Sequence, residues 1–185
     1  MGYERDPHDW YVENQWTSER LFAAWPFAGT IFDPACGSGR ILRAARDAGY
    51  QTEGWDIVLR NPLLCDRLVD WFSPEANDVP PDCTLISNPP FSRAQEFTEL
   101  ALERVHVACL LLPLQWMAGD RRTRWLAASP LARVWVLTPR PSMPPGQYVE
   151  AGGFVGGGKA DYAFYHFDRE RRHGAPELHW LRRDA

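Results

Sequence analysis

The sequence predicts a three-layer α/β domain on a mainly parallel sheet, with helices on both faces. Three observations carry that expectation. Apolar runs of strand type alternate with helical stretches along most of the chain. Some runs, such as Leu110-Leu111-Leu112, are apolar at successive positions, as strands covered on both faces are. The last two strand-like runs have no helix between them, so they read as an antiparallel pair at one edge of the sheet.

The elements follow in order. Residues 17–25, "TSERLFAAW", open behind a Thr or Ser cap and read as a helix. A short strand, 29–32, ends at Asp33. Residues 38–49 form a helix whose Ile41, Leu42, Ala45 and Ala48 share a face and which Gly49 stops. A second strand spans 51–57, and 61–70 reads as a helix with Pro62 in its first turn. Strand 83–87, helix 92–105 and strand 106–113 come next. Helix 120–128, strand 132–138 and strand 161–168 complete the pattern. The Pro- and Gly-rich loop of residues 139–159 is long enough to be functional or mobile.

At 185 residues, 45% of them hydrophobic and 24% charged, the chain fits one domain over residues 1–185 with a real core. A net charge of −4 argues against nonspecific nucleic-acid binding over the whole surface. Arginines nonetheless cluster at 121, 122, 124, 133 and 140, and the tail alternates sign over 168–172. These suit either one basic face or a solvated helix and turn. Cys36, Cys65, Cys83 and Cys109 include no CxxC, and the histidines lack ligand spacing, so reduced thiols and no metal are expected. No apolar run is long enough to cross a membrane, and residues 1–10 have no signal-peptide core. A cytoplasmic protein is expected.

In open α/β sheets, ligands sit outside the carboxyl ends of the strands. Four features fall there. In "DPACGSG", residues 33–39, Gly37 and Gly39 let the backbone approach a ligand and expose helix N–H groups. Leu42 replaces the third glycine of a dinucleotide fingerprint, and no Gly-Lys-Ser/Thr follows. Asp33 is thus an acid placed to meet a cation or ammonium, although a lone GxG also suits a plain turn. Asp56 ends the second strand, 56 − 33 = 23 residues on, close to where ribose-binding acids lie. Asp70 beside Trp71 could hold an adenine ring by its amine and face, or form a surface turn. The fourth feature is "NPPF", 88–91. Asn88 offers an amide oxygen, Pro89 a carbonyl with no competing N–H, Pro90 a fixed turn and Phe91 a stacking face. Together they suit a planar group bearing an exocyclic amine.

The order "DPACGSG", "GWDI", "DWF", "NPPF" resembles the S-adenosylmethionine-dependent DNA adenine methyltransferases of the gamma motif order, over roughly residues 10–113. The resemblance implies a Rossmann-like sheet of seven strands with an antiparallel final strand. It implies S-adenosylmethionine as cofactor and DNA as partner. Asp33, Pro34, Ala35, Cys36, Gly37 and Gly39 would form the cofactor loop. Asp56 would hold the ribose, Ile57 would lie against the cofactor's adenine, and Asp70 and Trp71 would hold that ring's amine and edge. Asn88 and Pro89 would grip the target amine and Phe91 would stack on the flipped base, with Pro90 fixing their turn. "DWYVENQW", 9–16, sits where the N-terminal cofactor motif belongs. It departs from the usual Thr-Pro, leaving Tyr11 and Asn14 as cofactor candidates. "RPSM", 140–143, resembles the loop that packs the target base, with Met143 where an aromatic is common. No target-recognition domain fits in the chain. Sequence reading would therefore fall to Arg121, Arg122, Arg124, Arg140 and the long loop. The compact size is similar to phage-type enzymes, some of them restriction-linked. The same fold methylates RNA adenine and protein glutamine, and a decayed binding module would look alike in sequence.

Overall fold

Alternate residues of the central strands divide between two cores, and this division explains the layers. A computed structural model describes residues 9–153, 156–171 and 174–184. Arg172 of the tail and residues 154 and 155 of the long loop lie outside it. Strand β1 (Thr30–Asp33) sends Phe32 to one core and Ile31 to the other. Strand β4 (Cys83–Ser87) divides Leu85 and Ile86 in the same way. Strand β5 (Val107–Pro113) sends Ala108, Leu110 and Leu112 one way and Cys109 and Leu111 the other. This period of two, apolar on both sides, is what a strand covered on both faces requires.

Helices α1 (Gln15–Ala24) and α2 (Arg40–Asp47) close one core with Leu21, Phe22, Ile41 and Ala45. Helices α3 (Ala94–Arg104) and α4 (Asp120–Ala128) close the other with Phe97, Ala101 and Leu126. The remaining strands are β2 (Thr52–Asp56), β3 (Arg67–Leu68), β6 (Leu131–Thr138), β7 (Tyr162–Asp168) and β8 (Glu177–Arg182). A short helix, α5 (Gly146–Glu150), lies within the long loop.

The strands form one sheet in the order β3-β2-β1-β4-β5-β7-β6-β8. All neighbours are parallel except β7, which runs antiparallel to both β5 and β6. The mainly parallel α/β architecture is therefore the one expected. Three details differ. Among the described residues the sheet has eight strands rather than seven. The inserted antiparallel strand is not the last in the chain, because β8 follows and pairs parallel to β6. The β6–β7 pair is consequently internal, and β8 is the edge, with Leu178 and Trp180 exposed on it.

The expected helix at 61–70 does not form. Pro62–Leu64 make a turn, and the chain then pairs with β2 through β3. Pairing with the sheet edge overrides the local helical pattern here. The Asp66 N–H donates to the Gly54 carbonyl at 2.6 Å, and the Asp66 carboxylate accepts the Gly54 N–H at 2.8 Å. Leu64 turns inward to cover Leu42 and Cys36.

Gly54 is required by that closure. A Cβ there would meet the Leu64 carbonyl and the Leu42 side chain. Gly54→Ala is expected to lower the unfolding free energy by about 2–3 kcal/mol through overpacking. Urea unfolding measures this, and a change under about 0.5 kcal/mol, the range of neutral surface substitutions, would contradict it.

Candidate functional site

Strand order reverses between β1 and β4, so their carboxyl ends diverge into a crevice where ligands of such sheets bind. Asp33 ends β1 and Ser87 ends β4. The Ser87 hydroxyl donates to Asp33 Oδ1 at 2.7 Å, and the Ala35 N–H donates to the same oxygen at 3.0 Å. One buried carboxylate thus fastens two strand ends and the start of the 33–39 loop. The loop turns back at Gly37 and Gly39, both with positive φ. Gly37 donates its N–H to Asp56 Oδ2 at 2.7 Å. Asp56 Oδ1 accepts the Val58 N–H and the Arg60 guanidinium, each at 2.8 Å. That Arg60–Asp56 pair is buried on both sides.

The N-terminal segment crosses this crevice. The Val12 N–H donates to the Pro144 carbonyl and the Gly146 N–H to the Trp10 carbonyl, both at 2.9 Å. Trp10 lies against Gly37 and Gly146, and the Arg60 guanidinium sits 4.3 Å from its ring centroid. The same segment holds the Asn88 side chain. Asn88 Nδ2 donates to the Tyr11 carbonyl at 2.7 Å and to Glu13 Oε2 at 2.9 Å. With both amide hydrogens committed, Asn88 Oδ1 is buried with no hydrogen-bond partner among the described residues.

These parts enclose an open-mouthed cavity of about 720 Å³, counted with its mouth. Glu13, Asp33 and Asp56 line it and are 6%, 2% and 5% exposed. Burial pushes Asp33 up to about 8, against the hydrogen bonds from Ser87 and Ala35, with Glu13 and Asp56 adding repulsion. Burial likewise raises Glu13, opposed by its hydrogen bonds and by Arg40. The cavity therefore favours a cationic guest, which would relieve the repulsion and let Asp33 ionise.

Most expected cofactor residues meet at this cavity. Tyr11, Asp33, Pro34, Ala35, Cys36 and Gly37 line one part of its wall. Asp56, Ile57, Asp70 and Trp71 line another, beside Asn88 and Pro90. Ile57 is 55% exposed, an apolar side chain left open at the wall. Trp71 lines the cavity but is only 3% exposed; Phe32 and Phe97 pack against its ring, and the Arg104 guanidinium lies 4.3 Å from the ring centroid. Tyr11 lies closer to the expected target side. Its ring is parallel to that of Phe91 within 7°, with centroids 6.0 Å apart, and Tyr162 flanks Phe91 at 5.8 Å.

Other expected residues are not lining residues. Gly39 turns the loop beneath, against Leu64. Pro89 is buried. Asn14 accepts the Ser142 N–H at 2.7 Å and so joins the N-terminal segment to the long loop. Met143 packs on the core that Leu21 and Phe22 share. Arg122 bonds the Trp116 carbonyl and Gln95. Arg121 is exposed on α4. Arg124 pairs with Asp120 and Arg140 with Asp161, both at the surface. Sequence reasoning missed Glu13, Trp10, Arg60 and Tyr162. An acid set among aromatics immediately before a helix, in "DWYVENQW", was the available signal for Glu13. Among the described residues no helix is long and apolar enough to cross a membrane, and no acidic, His or Cys group could hold a metal.

No protein-family model matches the chain, and no curated protein matches its sequence. Solved structures match its fold. PH1948 of Pyrococcus horikoshii, named as a candidate RNA methyltransferase, aligns at TM-score 0.61 and 13% identity, over 91% of this chain and 92% of that one. The 23S rRNA methyltransferase ErmE aligns at TM-score 0.58 and 14% identity, over 88% and 70%. The SAM-dependent O-methyltransferase TM0748 of Thermotoga maritima aligns at TM-score 0.53 and 13% identity, over 94% and 69%. The chain thus has the Rossmann-like fold of S-adenosylmethionine-dependent methyltransferases.

Asp33 makes stability depend on pH. Its ordinary value is 3.8 and its folded value about 8, so the folded state holds a proton that the unfolded state has lost between them. Its contribution is complete below about 4 and is lost as pH rises through about 8. Both protein hydrogen bonds go to Oδ1, which Asn retains. The thermal midpoint of Asp33→Asn relative to wild type, without ligand, is therefore expected to rise from pH 5 to pH 8.5. A flat difference would contradict the burial argument.

Proposed function

We propose that the chain transfers the methyl group of S-adenosylmethionine to the exocyclic N6 amine of adenine in DNA. The observation that carries this reading is the Asn88 side chain, a lining residue whose two amide hydrogens are engaged and whose oxygen is a buried acceptor with no partner among the described residues. An amine is the substrate group that such an acceptor serves. The fold neighbours support the methyl-transfer part of this reading, and the "NPPF" turn supports the amine target.

The residues present fit the cofactor. Asp56 and the buried acids Asp33 and Glu13, which a cationic guest would help to ionise, suit its cationic groups, and exposed Ile57 gives an apolar face for its adenine. Asp56 stands where a ribose would be held, with one oxygen on Gly37 and the other on Val58 and Arg60. When bound, S-adenosylmethionine supplies a methyl group made electrophilic by a sulfonium.

The protein's part is to prepare the amine. Asn88 Oδ1 accepts one amine hydrogen, and the motif assigns the other to the Pro89 carbonyl, which is buried here and must be uncovered by a shift of the turn as the base binds. These bonds withdraw the nitrogen lone pair from the ring and stabilise the positive charge that develops on nitrogen. Phe91 and Tyr11 supply flat faces for the base. Burial of the site excludes water, and holding the reactants in line supplies much of the remaining acceleration. Reaching the cavity requires the base to leave its stack, at a cost of a few kcal/mol.

RNA adenine is the second reading, favoured by fold neighbours that are named as RNA methyltransferases. Expression in a host lacking adenine methylation, followed by nucleoside digestion of DNA and RNA, separates the two. N6-methyladenine in DNA is expected. Its appearance in RNA alone would shift the substrate, and its absence from both would reject the reading. Asn88→Ala is expected to lower methyl transfer at least 100-fold, as removal of an oxyanion-hole donor does, with cofactor affinity held within about threefold. Calorimetry and a methyl-transfer assay measure the pair, and near-normal turnover would contradict the role of Asn88.

A further inference from the structure

Glu13 is a buried acid that the amine-binding scheme leaves without a role. It comes from the N-terminal segment, 75 residues from Asn88 in sequence, and its Oε2 accepts the Asn88 Nδ2 hydrogen at 2.9 Å. Its own carbonyl accepts from Arg40 Nη1 at 2.7 Å, which fixes the segment against α2. An amide is ambiguous by nature, because a half-turn about χ2 exchanges its oxygen and nitrogen. Only its partners decide which atom faces the cavity. Here the partners are two acceptors, the Tyr11 carbonyl and Glu13. An ionised carboxylate accepts only, so it repels the Asn88 oxygen and attracts the nitrogen.

We propose that Glu13 is a positioning residue: its ionised carboxylate locks the Asn88 amide so that Oδ1 faces the substrate amine and is polarised to accept from it. The value of Oδ1 to an amine rests on the methyl-transfer reading above, whereas the lock itself does not. A hydrogen bond to a carboxylate is about twice as strong as a neutral one, and it strengthens the acceptor at the amide's other end. Protonated Glu13 would instead carry a donor, which the flipped amide oxygen can take, removing the acceptor from the cavity.

The lock is therefore sensitive to pH. Burial raises Glu13 above the ordinary carboxylate range, while the Asn88 and backbone hydrogen bonds and Arg40 oppose that rise. The charged groups facing it are Arg40 from α2 and Asp33 from the end of β1; Asp56, paired with Arg60, acts on Asp33 in turn. Asp33 holds its proton up to about 8 and opposes the ionised lock only above that pH, where a cationic guest would favour it.

Two measurements test this. The first needs no substrate. In nitrogen-15 spectra the Asn88 side-chain amide, assigned by its loss in Asn88→Ala, should shift with pH as a one-proton titration in wild type. It should stay flat in Glu13→Gln and still titrate in Asp33→Asn. An Asn88 signal that does not titrate in wild type, or that titrates equally in Glu13→Gln, would overturn the proposal. The second is cofactor-saturated kcat against pH. Glu13→Ala is expected to lower kcat, measured with cofactor kept saturating, about 30-fold at pH 8, the loss of one charge-assisted hydrogen bond. Glu13→Gln, whose Oε1 still accepts from Asn88, should restore about tenfold of that loss and abolish the acid limb expected in wild type. A Glu13→Ala enzyme within twofold of wild type, or a Glu13→Gln enzyme that keeps the acid limb, would overturn it. If no methyl reaches adenine at all, the functional reading fails and the amide titration alone decides the lock.

Discussion

The hydrogen bonding of one side-chain amide ties the candidate site together. Asn88 stands at the end of β4, where the parallel sheet delivers it to the crevice. The fold alone does not say which of its atoms faces outward. That is decided by a strand of chain from the other end of the sequence, which offers the amide two acceptors and no donor. The N-terminal segment is in turn held by the long loop, through Val12 on Pro144, Gly146 on Trp10 and Asn14 on Ser142. Three stretches distant in sequence thus set the direction of one oxygen.

The electrostatics of the cavity follow from the same construction. Fastening strand ends with carboxylates leaves acids buried, and buried acids hold their charge only at a cost. Asp56 is compensated by Arg60 and by backbone N–H groups. Asp33 is not fully compensated, which is why burial prevails there. The uneven compensation makes one wall of the cavity a receptor for positive charge. Structural support and ligand selection here arise from the same side chains.

Much of this was legible in the sequence because strand ends and turns are local. Continuous apolar runs gave β4 and β5, and "DPACGSG" and "NPPF" announced a loop and a rigid turn without reference to the rest of the chain. The failures involve contacts made at a distance. Residues 61–70 have a helical pattern, but an open sheet edge beside them offers backbone partners that a local pattern does not register. β8 was obscured by the charged residues around "ELHWLR", although its neighbour β6 gives it a full ladder. Glu13 could be noticed but not assigned, because its meaning comes from an amide 75 residues away.

The most direct test of the account is a crystal structure with S-adenosylhomocysteine and adenosine bound. The account predicts the adenosine N6 about 2.7–3.2 Å from Asn88 Oδ1, with Asn88 Nδ2 still on Tyr11 and Glu13. An adenosine bound elsewhere, or an N6 that meets Asn88 Nδ2 or no part of Asn88, would contradict it.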